Sequence, residues 1–341
     1  MNDRAASVAR DSGLGHVYSL PPGVRISDEL SDTVFPAGAR LFVTGFLGDC
    51  EGTQIAGSSA SDEGPPVHTA YMEFLERAYL LKSMAERERH FFARDRRGRR
   101  IGRFSCDRVF PSDSPRSYRW SKSNGVAIGE SWSSAATRAE RELVERDRVL
   151  RSWYGQIVPK CVAFHDTPVL REISQTYSLS AYSFGTDDAT GICVVGFFAF
   201  PSGKRPLAYG FGASTNPREA GAKAVRECLQ RLAFLWEEAL PSCDVEMEPT
   251  PDSHQEFYLF SGNHDRIRHW LSGEHASVGS FAPPFPCAPP SIVDITPSGL
   301  GSDLVLAKAL SDGGHLPLAF GTEHPMLDPN APPFMKVHPV V

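Results

Sequence analysis

No two of the seven cysteines (Cys50, Cys106, Cys161, Cys193, Cys228, Cys243 and Cys287) form a C-x-x-C pair. An odd, scattered set argues against a disulfide framework or a paired-cysteine zinc site and predicts reduced thiols in a cytosolic protein. Long hydrophobic runs are missing too: the longest, Gly191 to Phe200, is about half of the ~20 residues that a membrane-spanning helix needs. The opening MNDRAASVARDSGLGH has no apolar centre and so makes no secretory signal. A basic excess is absent. The net charge of −6 and pI near 6.0 exclude a surface built wholly for nucleic acid. None of the eleven histidines stands in H-E-x-x-H, which removes support for a zinc hydrolase. Gly203-Lys204 is followed by Arg205 and lacks the upstream glycine spacing of a Walker loop. Cys161 lies near His165, but no third group is in view to make it a nucleophile.

What is present is the balance of a soluble globular protein with a real core: 41% apolar and 22% charged residues in 341. Residues 1–15 read as a disordered N-terminus, 16–325 as one catalytic domain and 326–341 as a proline-bearing tail. Between Val17 and Gly57 short apolar pieces are broken by prolines and glycines, with one strand at Leu41–Leu47 leading into a loop. Helical periodicity covers 66–84, with Tyr71, Phe74, Leu75, Tyr79 and Leu81 on the apolar side, and again roughly 133–153. Tyr177–Ser183, Gly191–Phe200 and Leu207–Phe211 read as strands. Asn216-Pro217-Arg218-Glu219 reads as a helix start, and that helix is expected to run to about Leu240. Segments 241–253 and 282–298 read as irregular. The alternation predicts an α/β fold.

Two of these helices carry the same pattern, Glu73-x-x-Glu76-Arg77 and Glu142-x-x-Glu145-Arg146. Residues three apart share a helix face, so each helix projects two carboxylates the same way. A solvated charged face is one explanation. The apolar neighbours Tyr71, Phe74, Leu75, Leu143 and Val144 favour another, because carboxylates drawn toward a core need a partner. Hard oxygen ligands suit Mg²⁺, which takes few carboxylates and completes its shell with water and phosphate. The segments Ser121–Gly129 and Gly210–Ser214 read as small-residue loops ahead of helices, able to bring backbone N–H groups to phosphate.

Taken in order, these segments resemble the YcaO family. Thr69-Ala-Tyr-Met-Glu73-Phe-Leu-Glu76-Arg77 is similar to its S-x-x-x-E-x-x-E-R. Ser121-Lys-Ser-Asn124-Gly125-Val-Ala127-Ile-Gly129, then Ala135 and Glu142-x-x-Glu145-Arg146, is similar to S-N-G-x-A-x-G…A…E-x-x-E-R. Gly210-Phe-Gly-Ala-Ser214 through Ala220, Lys223, Glu227 and Gln230 is similar to G-x-G-A-S…A…R-A…E-x-x-Q. Lys223 departs from the arginine of many members and exchanges a forked grip for a point charge. Leu304–Gly321 resembles the family's C-terminal strands.

The resemblance implies mixed sheets flanked by helices, with an ATP site between three motif-bearing helices. It implies Mg²⁺ on Glu73, Glu76, Glu142 and Glu145, the group on which catalysis rests, and ATP contacts from Ser121, Asn124, Lys223, Gln230, Arg77 and Arg146. The implied reaction is ATP-dependent cyclodehydration. A Cys, Ser or Thr of a ribosomal precursor peptide adds to the preceding carbonyl; the resulting oxygen is phosphorylated and leaves as phosphate, giving thiazoline or oxazoline on the way to an antibiotic-like product. Thioamide or amidine formation, and a non-catalytic ATP-binding subunit of a synthetase complex, remain alternatives. No leader-binding or E1-like segment is recognised, so such a partner, and a flavin dehydrogenase with it, is expected on separate chains. Pro332, Pro333, His338 and Pro339 are similar to a tail that reaches the active site in azoline-forming members; an ordinary extended terminus explains them equally well. The basic run Arg94 to Arg103 reads as an exposed turn around Gly98 between two strands, with RNA or an acidic leader peptide as the other reading.

Overall fold

A computed structural model describes residues 18, 20–35, 38–86, 89–114, 117–236, 240–244, 246–274, 288–298, 303–323 and 335–340. In chain order the strands are β1 (Val24–Val34), β2 (Leu41–Cys50), β3 (Thr53–Ser61), β4 (His90–Arg94), β5 (Arg100–Ser105), β6 (Arg119–Trp120), β7 (Val126–Gly129), β8 (Lys160–Val162), β9 (Tyr177–Thr186), β10 (Cys193–Pro201), β11 (Ala208–Ser214), β12 (Ile292–Asp294), β13 (Val305–Ala309) and β14 (Ala319–Phe320). The helices are α1 (Val67–Ala85), α2 (Cys106–Val109), α3 (Trp132–Trp153), α4 (Pro168–Ile173), α5 (Pro217–Phe234), α6 (Pro251–Phe257) and α7 (His264–Leu271). None of the helices among the described residues is long and apolar enough to cross a membrane.

The chain divides into two compact units. One comprises residues 1–110, 125–140 and 291–310, the other 111–124, 141–290 and 311–341, so α3 begins in the first and continues in the second.

The first unit holds an antiparallel sheet in the order β1-β2-β3 and a five-stranded sheet in the order β5-β4-β12-β13-β7. Between Val17 and Gly57 the structure therefore differs from the single strand expected: β2 runs on to Cys50 and pairs on both edges. The face of α1 bearing Ala70, Tyr71, Phe74, Leu75, Ala78 and Tyr79 is buried in this unit's core, with Phe46, Phe91, Val293 and Leu306. Pro66 caps α1, and its carbonyl accepts the Ala70 N–H. A hairpin joins β4 to β5 around Gly98, whose φ of 79° needs no side chain.

The second unit holds a sheet in the order β11-β10-β9-β8 and the pair β14-β6. Its core gathers Trp153, Phe184, Phe198, Tyr209, Tyr258 and Trp270, with Phe184 stacked on Trp270 at a centroid distance of 5.1 Å. Asn216 caps α5 by accepting the Arg218 N–H, with Pro217 at the first helical position. The expected extent of this helix was too long: α5 ends at Phe234, and Leu235 and Trp236 turn back through bonds to Arg231 and Ala233 carbonyls. The proline-bearing segments are less irregular than expected, because Thr250 caps α6 and β12 enters the five-stranded sheet.

Gly210–Ser214 is not a loop. It is β11, and its glycines answer to packing: a Cβ on Gly212 would lie 2.2 Å from the Ala220 carbonyl oxygen, and one on Gly210 2.3 Å from the Cys228 nitrogen. Both belong to the backbone of α5, which cannot yield as a side chain does. Gly212→Ala is expected to cost about 3 kcal/mol, read as a lower denaturant midpoint at constant m-value. An unchanged midpoint would remove close strand–helix contact as the reason for this glycine.

The expected disordered N-terminus, and Pro332 and Pro333 of the tail, lie outside the described residues. Residues 335–340 are not a free extension, since Met335, Val337, His338 and Val340 are all buried in the second unit.

Candidate functional site: carboxylates on three helices

In the second unit, α3 carries Glu142, Glu145 and Arg146. Arg146 reaches back one turn to Glu142 at 3.2 Å. The following residue, Asp147, is fully buried; it accepts from Arg151 at 2.9 Å and from the Leu316 N–H at 2.6 Å. This buried pair locks the rotation of α3, because any turn of the helix would strand two desolvated charges. The motif side chains are thereby held on the opposite side.

Glu145 keeps some solvent access but is densely surrounded by protein. Burial raises its pKa from 4.5 to about 8, helped by the Glu227 and Glu142 carboxylates; Arg146 and Lys223 pull the other way. Glu227, on α5, accepts the Phe211 N–H of β11 at 2.7 Å. Lys223, one turn earlier, points its ammonium to the Ala213 carbonyl at 3.4 Å. Gln230 follows on the same helix, half-buried.

Residues 121–124 form a tight turn of the same unit. Ser121 donates its N–H to Leu318, Asn124 donates its N–H to Ser121 at 3.4 Å, and Lys122 is pinned by Asp113 at 2.7 Å. Gly125 ends the turn at φ 70°. Asn124 is buried and Ser121 half-buried, with the Ser121 and Ser123 hydroxyls 3.2 Å apart.

In the first unit, Glu73 accepts the Ser58 N–H of β3 at 2.9 Å and the Arg77 guanidinium at 2.7 Å. Glu76 accepts the Ile128 N–H of β7 at 2.9 Å. These carboxylates anchor α1 to two strands as well as carrying charge.

Sequence spacing pairs Glu73-x-x-Glu76-Arg77 with the motif on α3, but its nearer counterpart in structural context lies on α5. Gly57-Ser-Ser-Ala-Ser61 precedes α1 as Gly210-Phe-Gly-Ala-Ser214 precedes α5. A Cβ on Gly57 would lie 2.2 Å from the Phe74 nitrogen, matching the close approach of β11 to α5. Glu73 and Glu227 each take the N–H of the residue after that glycine. Glu227-x-x-Gln230-Arg231 then repeats Glu73-x-x-Glu76-Arg77. Sequence reasoning gave Glu227 no role; the repeated G-x-x-A-S with E-x-x-[EQ]-R was the signal that could have found it.

Among the described residues no three carboxylate, histidine or cysteine side chains converge as a ready-made metal cage. Mg²⁺ does not need such a cage, since a few carboxylates hold it while phosphate and water complete its shell. A carboxyl whose pKa is raised by burial, and further by two carboxylate neighbours, is one whose charged form a cation would favour.

Residues 104–290 match the family model described as YcaO cyclodehydratase, ATP- and Mg²⁺-binding. No curated protein matches the chain. Among solved structures, YcaO from Methanopyrus kandleri bound with AMPPCP and Mg²⁺ is similar over 85% of this chain and 86% of that one, with 18% identity and a TM-score of 0.59. A heterocyclase in complex with substrate and cofactor is similar over 84% of this chain and 49% of its own, so this chain spans about half of it, at 14% identity and a TM-score of 0.54. A chain of the E. coli microcin synthetase McbBCD complex with pro-MccB17 bound aligns over 86% of this chain and 89% of its own, with 10% identity and a TM-score of 0.55. At these identities the likeness speaks for the fold, while the family match covers α3, β11 and α5 with their glutamates. The chain belongs to the YcaO family, with ATP and Mg²⁺ as its cofactors.

Proposed function

We propose that the chain is an ATP-dependent cyclodehydratase that converts Cys, Ser or Thr of a ribosomal precursor peptide to azolines. The observation that supports this best is the charge cluster of Glu142, Glu145, Glu227, Arg146 and Lys223, which lies wholly inside the matched region. Bound Mg²⁺-ATP supplies the phosphoryl group that turns an amide-derived oxygen into a leaving group. Glu142 and Glu145, with Glu73 and Glu76, serve as Mg²⁺ ligands; Ser121, Asn124, Lys223, Gln230, Arg77 and Arg146 contact the nucleotide. Glu227 joins them as a residue that places negative charge beside Glu145 while tied to β11. Such a site works by positioning phosphate and neutralising charge, so no side-chain nucleophile is needed. A leader-binding E1-like protein, with a flavin dehydrogenase for oxidation to azoles, is proposed to complete the system.

Mass spectrometry of a precursor peptide incubated with the chain, its partner and Mg²⁺-ATP tests the reaction. Loss of about 18 Da, one water, per modified residue is expected; a gain of about 16 Da would indicate exchange of oxygen for sulfur instead. An unchanged mass with the partner present would reject peptide modification.

The pKa of Glu145 gives a second, independent expectation. Its folded-state value, about 8, lies above the ordinary 4.5, so at neutral pH the site holds a proton that Mg²⁺ must expel. Affinity for Mg²⁺-nucleotide therefore rises with pH up to about 8, by at most tenfold per unit, and levels off above it. Calorimetry in buffers of different ionisation enthalpy should record proton release on binding at pH 7 and little at pH 9. Release that is equal at both would contradict Glu145 as a ligand.

A further inference from the structure

The site does not use the β4–β5 hairpin, which carries the densest basic stretch of the chain. Strand β5 is the terminal member of the five-stranded sheet and pairs only with β4; among the described residues nothing pairs with its other edge. Its outer edge therefore offers unpaired N–H and C=O groups, the template on which an extended peptide can add a strand.

The arginines here divide into two sets. Arg94 pairs with Asp294 at 2.7 Å, Arg96 with Glu140 at 2.9 Å, and Arg99 with Asp95 at 2.7 Å. The first two fix the hairpin to its own unit, and the third closes its turn. Arg97, Arg100 and Arg103 are exposed and have no carboxylate partner among the described residues. The Arg100 guanidinium carbon lies 4.1 Å from the centroid of the Phe92 ring, a cation–π contact that holds it against the sheet. Arg103 stands directly opposite Phe92 in the ladder and shares its face. Ile101, at the bulge between Ala93 and Arg94, is 66% exposed and adds an apolar contact. A net charge of −6 over the whole chain makes three unmatched cations, two on β5 and Arg97 in the adjoining turn, a local feature rather than a reflection of composition.

We propose that β5 takes an extended acidic peptide segment as an added strand, its carboxylates held by Arg97, Arg100 and Arg103. Backbone hydrogen bonds supply the alignment, and the arginines select acidic sequence. On the function proposed above the segment belongs to the precursor peptide. That ownership rests on that function; the binding does not. Charge and a bulge on an edge strand also guard against self-association, since two copies of β5 repel each other. An acidic strand removes that repulsion. An edge of unpaired peptide groups favours a peptide over nucleic acid, which would use the charge and leave the backbone unmet.

Fluorescence anisotropy with the full chain and labelled ten-residue probes tests this. A peptide of alternating Glu and Val is expected to bind wild type, with affinity falling as salt rises, and to lose about tenfold or more with R100E/R103E. A Glu–Pro peptide of equal charge is expected to bind much more weakly, because proline cannot donate to a ladder. Equal binding of the Glu–Pro peptide, or of a single-stranded oligonucleotide, would reduce the surface to a patch for any polyanion and overturn the proposal. So would unchanged Glu–Val affinity in R100E/R103E. The thermal shift given by Mg²⁺-ATP should be the same in this variant as in wild type, confirming that it is folded. Binding of the Glu–Val probe by a chain that modifies no precursor would sink the proposed reaction and leave the docking edge standing.

Discussion

Glu145→Gln is expected to abolish the rise in melting temperature that Mg²⁺-ATP gives the wild-type protein, while leaving the nucleotide-free protein as stable or more so. A ligand present at a hundred times its Kd stabilises the state it binds by about 2.7 kcal/mol, and losing a carboxylate proposed to hold the metal removes most of that. The second half of the expectation has the opposite sign and comes from the burial of Glu145, with the Glu227 and Glu142 carboxylates adding to it. Its raised pKa means the folded protein holds a proton that the unfolded chain releases, so stability without ligand falls as pH rises from about 4.5 to about 8. The neutral amide escapes that penalty, and its advantage is greatest at pH 9. A residue that weakens the empty protein but is required for the ligand is kept for the ligand. Thermal scans at pH 7 and 9, with and without Mg²⁺-ATP, give all four values. A full nucleotide-dependent shift in the variant would count against Glu145 in the metal site; Glu142→Ala is expected to lose the shift as well.

The helices bearing these glutamates were legible because helical periodicity is a local signal. The expected 66–84 and 133–153 match α1 and α3 to within a residue or two. β9 and β10 were legible for a related reason: one alternates apolar with small polar residues and the other is a short apolar run, and turn residues lie between them. What local pattern could not reveal was pairing. β1 is rich in Asp, Glu and Ser and buries little of itself, so only its ladder with β2 marks it as a strand. The glycines of Gly210–Ser214 suggest a phosphate loop when read alone, because a glycine that admits a ligand and one that admits a helix look the same in sequence. Only the closeness of the α5 backbone to Gly210 and Gly212 separates them. Glu227 was hidden by the same ambiguity. Its spacing to Gln230 and Arg231 was readable, but its bond to the Phe211 N–H and its charge beside Glu145 belong to the folded chain.

Deleting residues 335–341 is expected to unfold the second unit rather than merely slow the enzyme. Met335, Val337 and Val340 are buried, and losing three such side chains removes about 5 kcal/mol or more, comparable with the whole stability of many domains. Polar losses add to this. The Trp153 indole donates to the Met335 carbonyl at 2.9 Å, the Tyr258 hydroxyl to the Val337 carbonyl, and His338 Nε2 lies 2.8 Å from the Ala319 carbonyl. His254 Nδ1 meets the His338 carbonyl at 3.1 Å while its Nε2 accepts the Gly321 N–H, which requires a neutral ring. Removing the segment strands these groups in a core closed to water. His338 also carries an acid sensitivity: burial lowers its pKa from 6.5 to about 4. The unfolded chain then binds a proton that the folded one refuses, so about 3 kcal/mol is lost as pH falls from 6.5 to 4. His338→Gln should lose less than wild type over that window in urea titrations. The Arg146 charge adds to the burial that depresses the His338 pKa, so the terminus feels the charge of an α3 motif residue. A truncated protein that kept its cooperative unfolding and lost only turnover would instead make the tail a part of the active site alone.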